Sequence, residues 1–417
     1  MKFATLLFIT ATFFKCYADS HLSYNIKYGT NLNHIETIAQ IHIQDGVNNS
    51  AGFISIAEPS LVQIKRFSRT GVHYHKSIQD AINAASYEDT ISLSPGIYIE
   101  NIIIDKPGIT IQGSGSGNEA YDDEKAINVA GGTIINGYIR IEDGGINCKL
   151  ERLSFSPNNP DQSMEYNLAF FGSHGDISYN GIVNDVAFYG DGFCAHNVEF
   201  RGQKWDVKNI RSYNAGTHNF VIKAGKSTFR DLLIDNKGKL NTSFLFIKSH
   251  NNIARLGSPT DITIDGFKVI MSGITHYSGI YLNNADNQNE SIDNISIRNG
   301  VIENNTSNNF ACIRLLGKNY PNNIIENIRF ENITCSGGSI GAYLQDGFSN
   351  IIDRGVDSIF FSNCSFMNPS GEENNQYGVY NLEASNVFLN TVILKNFPQG
   401  RAFSGTFAEQ NIYILNN

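Results

Sequence analysis

The chain contains one tryptophan, four methionines and nine prolines in 417 residues, and no two of its cysteines are spaced as CxxC. Without that spacing there is no zinc-ribbon pattern. Of the six cysteines, Cys16 lies in the apolar N-terminal run, which leaves an odd set of Cys148, Cys194, Cys312, Cys335 and Cys364. An odd set excludes a fully paired disulfide framework. Cys312, Cys335 and Cys364 interrupt strand patterns as small buried apolar residues do, while a Cys148–Cys194 bridge stays open. Positive charge is also short. The formal net charge is -9, which argues against a general binder of nucleic acid or anionic membrane. An anionic polysaccharide remains open as a partner, because a local basic groove can sit on an acidic body. No phosphate loop, dinucleotide fingerprint or nucleophile elbow stands in a supporting context.

What is present begins with Lys2, an apolar run from Phe3 to Phe14, and Tyr17-Ala18 before Asp19. This predicts a secretory signal peptide over 1–18 and hence a secreted or periplasmic protein, and no later stretch is apolar enough to span a bilayer. Residues 19–70 read as an irregular N-terminal appendage, with weak alternation in HIETIAQIHIQ and FISI.

The stretch from Ser77 to Gly115 changes period. Ile78, Ala81, Ile82 and Ala85 fall at helical spacing behind Ser77 as N-cap, with Asp80 in the first turn. Short β-branched runs follow, ISL, PGIY, NIII and GITI, punctuated by Pro, Gly and Asn. Ser77, Ala81, Ala85, Asp89, Thr90, Ile91, Leu93, Pro95, Gly96, Tyr98, Glu100, Asn101, Ile103, Pro107, Gly108, Ile109 and Gly113 resemble the opening of the right-handed parallel β-helix superfamily of pectate lyases, pectin methylesterases and polygalacturonases. That resemblance implies an all-β solenoid over 71–417 with an amphipathic helix capping its N-terminal end, and the irregular appendage over 19–70 reads as packing on that cap.

Downstream a phrase of strand, sharp corner and strand recurs. Anchored on Val207, Phe229, Ile264, Ile297, Phe330, Phe361 and Leu389, its spacing of about 22 to 35 residues is that of stacked coils. Two positions later stand Asn209, Asp231, Gly266, Asn299, Asn332 and Asn363, with Asn390 displaced by one. Asn and Gly tolerate the left-handed backbone of such a corner, so these residues read as a structural asparagine ladder. Its side chains are expected to point into the stack, which discounts glycosylation at Asn332 and Asn363 and leaves the sequons at Asn48, Asn241, Asn289, Asn294, Asn304 and Asn305.

Between these phrases lie NFVIKAG, SFLFIKSH, SGIYLNN, ACIRLLG, GAYLQDG and GVYNLEA. Matched on the apolar residue before the variable position, they place Lys223, Lys248, Tyr281, Arg314, Tyr343 and Tyr380 in one outward column. At roughly 4.8 Å per coil the row spans about 24 Å, enough for several sugars. Lysine and arginine neutralise carboxylates, and tyrosine offers a stacking face and a hydroxyl. His218, His250 and His276 flank the same strands.

These types in this order favour a polysaccharide lyase that cleaves a uronate-containing polymer by β-elimination. A cation neutralises the carboxylate, a base removes the neighbouring proton, and an acid assists the leaving oxygen. Arg314 and Lys248 are the candidates for neutralisation, Lys223 or His250 for the base, with a neighbouring lysine lowering the pKa of Lys223, and Tyr281 for the acid. His218, His276, Tyr343 and Tyr380 are candidates for substrate binding. The assignment requires Lys248 and Arg314 on one face.

The polygalacturonase pattern of clustered aspartates has no counterpart here, and Asp286, Asp346 and Glu383 form no evident carboxylate pair. The methylesterase and pectate-lyase patterns are equally missing beyond the opening segment. Asp286, Glu290 and Asp293 leave calcium open, and no other cofactor is indicated. The second reading is a non-catalytic polysaccharide-binding, export or assembly protein, followed by a glycoside hydrolase and a uronate epimerase.

Overall fold

The structure is a computed structural model that describes residues 41–43, 52–54, 63–116, 132–157, 167–173, 177–190, 192, 195–235, 243–248, 259–272, 278–284, 291–305, 311–317, 324–345, 355–368, 377–382, 384–397 and 401–415. The chain divides into two compact units, Met1–Leu61 and Val62–Asn417. Within the first, Ile41–Ile43 pairs antiparallel with Gly52–Ile54. The expected leader over 1–18 lies outside the described residues. Among those described, no helix is long and apolar enough to cross a membrane.

The second unit opens with a hairpin of Ile64–Ser68 and Gly71–His75 and the helix Ile78–Ala84. Ser77 is the N-cap, its hydroxyl accepting from the Asp80 amide at 3.0 Å, and Ile78, Ala81 and Ile82 are buried, as the spacing predicts. The Glu100 carboxylate accepts from the Ile78 and Gln79 amides at 2.8 and 3.1 Å. A carboxylate is favourable there because those amides have no partner within the helix.

The rest is strand. One parallel sheet has eleven strands, from Ile102–Ile104 to Phe403–Ser404. Its strands alternate along the chain with those of a second parallel stack that includes Asp206–Tyr213, Thr228–Asp235, Thr260–Met271, Ser291–Asn304 and Ile324–Gly337. Each coil therefore contributes a strand to each sheet and pairs only with the coils before and after it. All seven anchors align in one column, Val207, Phe229, Ile264, Ile297, Phe330, Phe361 and Leu389, and all are buried. Opposite them the inner side chains of the eleven-stranded sheet, among them Val198, Phe220, Leu245, Ile280 and Ile313, close the core.

The corner column is real and longer than the sequence suggests. Arg152, Asp185, Asn209, Asp231, Asn299, Asn332, Asn363 and Thr391 have φ between 51° and 57°, and Gly266 has 75°. Thr391, not Asn390, takes the last position. The ladder faces outward rather than into the stack: Asn209, Asn299, Asn332 and Asn363 are exposed, and Asn332 Nδ2 donates to Asn299 Oδ1 at 3.0 Å on the surface. The argument discounting the Asn332 and Asn363 sequons therefore loses its premise. A second left-handed corner lies five residues earlier, at Asp261, Asn294, Asn327, Ser358 and Asn386. Asn294 Nδ2 donates to Asp261 Oδ1 at 2.6 Å along this second ladder.

Cys148, Cys312, Cys335 and Cys364 are buried free thiols, so Cys148 forms no bridge, and Cys194 lies outside the described residues. Burial holds the Cys148 and Cys364 thiols up at about 11, which keeps them protonated and unreactive.

Candidate functional site

The predicted column lies on the outer face of the eleven-stranded sheet, and the register there differs from the one expected. Glu199 aligns with Val221, Phe246, Tyr281, Arg314, Tyr343 and Tyr380. Lys223 aligns with Arg201 before it, and the next column continues through Lys248, Asn283, Leu316 and Gln345. The two lysines thus sit two residues further along their strands than the four later residues. Matching on the apolar residue before the variable position caused the slip: Ile222 and Ile247 stand opposite Leu282, not opposite Ile280. A shift of two preserves the face, so Lys248 and Arg314 still share it.

Glu199 was missed altogether, together with His196 and Arg201, and it organises one end of this face. The HNVEFRGQ strand resembles no other segment closely enough to be matched by type. Glu199 is 2 % exposed, yet charged. Its Oε1 accepts from Lys223 Nζ at 2.8 Å and Arg201 Nε at 2.6 Å, and its Oε2 from Asn167 Nδ2 at 3.0 Å. Phe170 lies against Arg201, the guanidinium carbon 4.3 Å from the ring centroid. Burial pushes the Glu199 carboxyl up, but Lys223, Arg201 and His196 outweigh it and hold the group at about 2. Lys223 gains from Glu199 and loses more to burial, so its ammonium falls below its ordinary value. The direction matches the one expected, but the main cause is burial, with Arg201 and Lys248 contributing less. Two cations, Lys223 and Arg201, thus share one carboxylate at this end of the face, and Lys248 lies half-buried in the next coil.

His196 stands beside it, Nε2 3.9 Å from Glu199 Oε2, and its ring centroid is 4.9 Å from that of His218. Burial pulls His196 down to about 4, more than Glu199 raises it, so the imidazole is neutral near pH 7. Thr217 fixes the tautomer. Its hydroxyl donates to the Ala195 carbonyl, so toward His196 Nδ1, 3.1 Å away, it can only accept. Nδ1 therefore carries the proton and Nε2 the lone pair.

Both shifts act in the same direction on stability. His196 titrates at about 4 in the folded chain against an ordinary 6.5, so between those values the unfolded chain binds a proton that the folded chain refuses. Glu199, depressed from 4.5 to about 2, adds stability above pH 4.5 that is lost as pH falls through its folded value. Urea midpoints measured from pH 7 downward should therefore decline steadily below pH 6.5, and His196→Gln should flatten the first part of that decline. An unchanged slope in the variant would remove His196 as its source.

The other end of the face is aromatic. The Arg314 guanidinium carbon lies 5.4 Å from the Tyr281 centroid and 5.5 Å from that of Tyr343, and Arg314 Nη2 donates to Gln345 Oε1 at 3.0 Å. Tyr343 stacks on Tyr380 at 5.3 Å, and Tyr380 on Tyr377 at 4.6 Å. Tyr281 is 4 % exposed and packs with Val221 and Leu316, so the residue expected to act as an acid is a buried wall of the face. Burial raises the Tyr343 phenol above its ordinary value.

His250 and His276 lie outside the described residues, as do Asp286, Glu290, Asp346 and Glu383. Asp293 accepts from Asn327 Nδ2 at 2.9 Å as part of the second ladder. Among the described residues no cluster of His, Cys, Asp or Glu is placed to hold a metal.

No protein-family model matches the chain. No curated protein matches it either. Among solved structures, the catalytic domain of a GH87 α-1,3-glucanase in complex with tetrasaccharides aligns over 82% of this chain and 67% of its own, at 13% identity and a TM-score of 0.51. The A-module of the mannuronan C-5 epimerase AlgE6 of Azotobacter vinelandii aligns over 82% and 94%, at 12% identity and a TM-score of 0.45. A tailspike protein of an Escherichia coli O157:H7 bacteriophage aligns over 81% and 40%, at 11% identity and a TM-score of 0.45. At these identities the likeness is one of fold.

Proposed function

From a right-handed parallel β-helix with these two ends on one face, we propose that the protein binds a uronate-containing polysaccharide along the eleven-stranded sheet and cleaves it by β-elimination. One observation carries this reading: two cations, Lys223 and Arg201, gathered on one carboxylate beside a histidine that burial keeps neutral. Lys248 and Arg201 neutralise the uronate carboxylate, which acidifies the proton on the adjacent ring carbon. His196 Nε2 takes that proton, the electron pair forms a ring double bond, and the glycosidic carbon–oxygen bond on the next ring carbon breaks, the leaving oxygen taking a proton from water. Lys223, held by Glu199, positions the carboxylate pocket rather than serving as the base. Two carboxylates flanking one bond would indicate hydrolysis instead, and Glu199 is the one carboxylate among the described residues of the strands from His196 to Leu382 that form this face. Export through the leader over 1–18 would bring the protein to such a polymer.

The test is an absorbance screen for unsaturated uronate, run on pectate, alginate and glycosaminoglycans with and without calcium. Product should appear on one polymer, and His196→Ala should lower turnover by about 10²–10⁴-fold, the usual weight of a general base. Full activity in that variant sinks the base assignment. New reducing ends without unsaturated product would mean hydrolysis. Binding without either product would make the protein a non-catalytic polysaccharide binder, the second reading, which the stacked Tyr343, Tyr380 and Tyr377 support on their own.

A further inference from the structure

Inside one corner of the solenoid, a column of small residues from the eleven-stranded sheet meets a column of larger ones from the second sheet. Gly279 lies under Ile302, Gly341 under Phe366 and Gly378 under Leu394, so close that a methyl group on each glycine would come within 2.9, 2.5 and 2.7 Å of the side chain opposite. Register places Cys312 between Gly279 and Gly341 in the first column, and Cys335 between Ile302 and Phe366 in the second. Three coils therefore set a glycine against a large apolar side chain, while the coil of Cys312 sets cysteine against cysteine. Both cysteines are buried, the two thiols share a hydrogen bond, and Cys312 Sγ also donates to the Gly337 carbonyl at 3.7 Å. Cys364 is turned to the main chain instead, its thiol donating to the Phe330 and Ser362 carbonyls at 3.4 and 3.5 Å. Space-filling alone does not call for the pair, since a glycine against a leucine or phenylalanine fills the corner in the coils that follow.

We propose that Cys312 and Cys335 are a disulfide site, closed as the chain folds in an oxidising compartment, which clamps the two sheets together at the coil that presents Arg314. The step needs a disulfide donor such as oxidised glutathione. The thiolate of one cysteine attacks a donor sulfur and releases one donor thiol. The thiolate of the other cysteine then attacks the mixed disulfide, the Cys312–Cys335 bond forms, and the second donor thiol leaves. The protein gives up two electrons and two protons, and one donor disulfide becomes two thiols. Once the coil has closed, burial keeps the donor from both sulfurs, so the exchange belongs to folding, before neighbouring coils cover the corner. Export through the leader over 1–18 would bring the folding chain to such a donor.

The full chain, produced in parallel in a bacterial host with a reducing cytoplasm and in one with an oxidising cytoplasm, tests this. Each product is denatured, alkylated with N-ethylmaleimide, weighed intact and digested without reductant. The oxidised product should carry fewer adducts than the same sample after reduction, its digest should join the peptides of Cys312 and Cys335, and its thermal midpoint should lie about 5 °C above that of the reduced product. Cys335→Ala should restore alkylation of Cys312 and abolish the difference in midpoint. Full alkylation of both residues in the oxidised parent overturns the inference, as does a Cys335–Cys364 link in place of the Cys312–Cys335 one, or a midpoint that is the same in both products. The parent chain alone decides, whether or not the variant folds.

Discussion

Glu199→Ala is expected to destabilise the protein by about 3–5 kcal/mol, because it removes one member of a buried charge cluster and strands the others. Lys223 is 7 % exposed, and its ammonium is held by Glu199 Oε1 at 2.8 Å. Without the carboxylate, Lys223 and Arg201 repel across one coil spacing in a place that water barely reaches. The lost attraction is the smaller part of the cost, and the larger part is the unpaired buried charge. Glu199→Ala with Lys223→Met should therefore recover much of the loss, since Arg201 can turn toward solvent over Phe170. Urea denaturation of the single and double variants measures this directly. A single variant within about 1 kcal/mol of the parent would show that the cluster is solvated and the cost avoided.

Beneath Glu199 the second large effect is steric. Phe200 is fully buried and lies at the centre of an aromatic group, with ring centroids 5.0 Å from Phe171, 5.5 Å from Trp205, 5.4 Å from Phe220 and 5.3 Å from Phe229. These rings come from successive coils, so none can collapse inward without pulling its own strand out of register. Phe200→Ala should accordingly cost about 3–5 kcal/mol, toward the upper end because the cavity cannot close. Phe200→Leu should cost clearly less. Thermal unfolding of both separates the two effects, and equal losses would indicate that the neighbouring coils relax after all. The same variants bear on function, because Phe200 fixes the strand that carries Glu199 and Arg201.

The solenoid was legible in the sequence because its signals repeat. One apolar anchor per coil, followed at a fixed distance by Asn, Asp or Gly, survives loops of any length, and every anchor from Val207 to Leu389 falls where the pattern put it. The second corner carried the same kind of signal in Asn294 and Asn327, five residues before Asn299 and Asn332, and went unread because its members are more varied: Lys204, Lys226 and Ser358 also adopt positive φ there. The orientation of the ladder was not legible, since a left-handed residue fixes the backbone but not whether water or protein covers its side chain. The site was harder still. A row of unlike residues has no repeat to anchor it, and the apolar residue before each variable position misleads: Ile222 and Ile247 stand opposite Leu282, so register sets Lys223 and Lys248 two residues away from Tyr281. Glu199 gave no signal, because a single glutamate between strand residues reads as an ordinary exposed charge, and only the neighbouring coil, with Lys223 brought alongside, makes it a buried one.

The corners have a mechanical consequence. Because every coil is held only by the two that flank it, resistance to unfolding accumulates one link at a time, as in a zipper, and a flaw stays local unless it lies where teeth mesh closely. Gly337 is such a tooth: with φ of 85°, it passes so near the preceding coil that a methyl group in its place would sit 1.9 Å from the Asn304 carbonyl oxygen. A flaw at that link would divide the molecule into two cooperative blocks. The cationic strands would fall in one and the stacked tyrosines in the other, and each would melt at its own temperature.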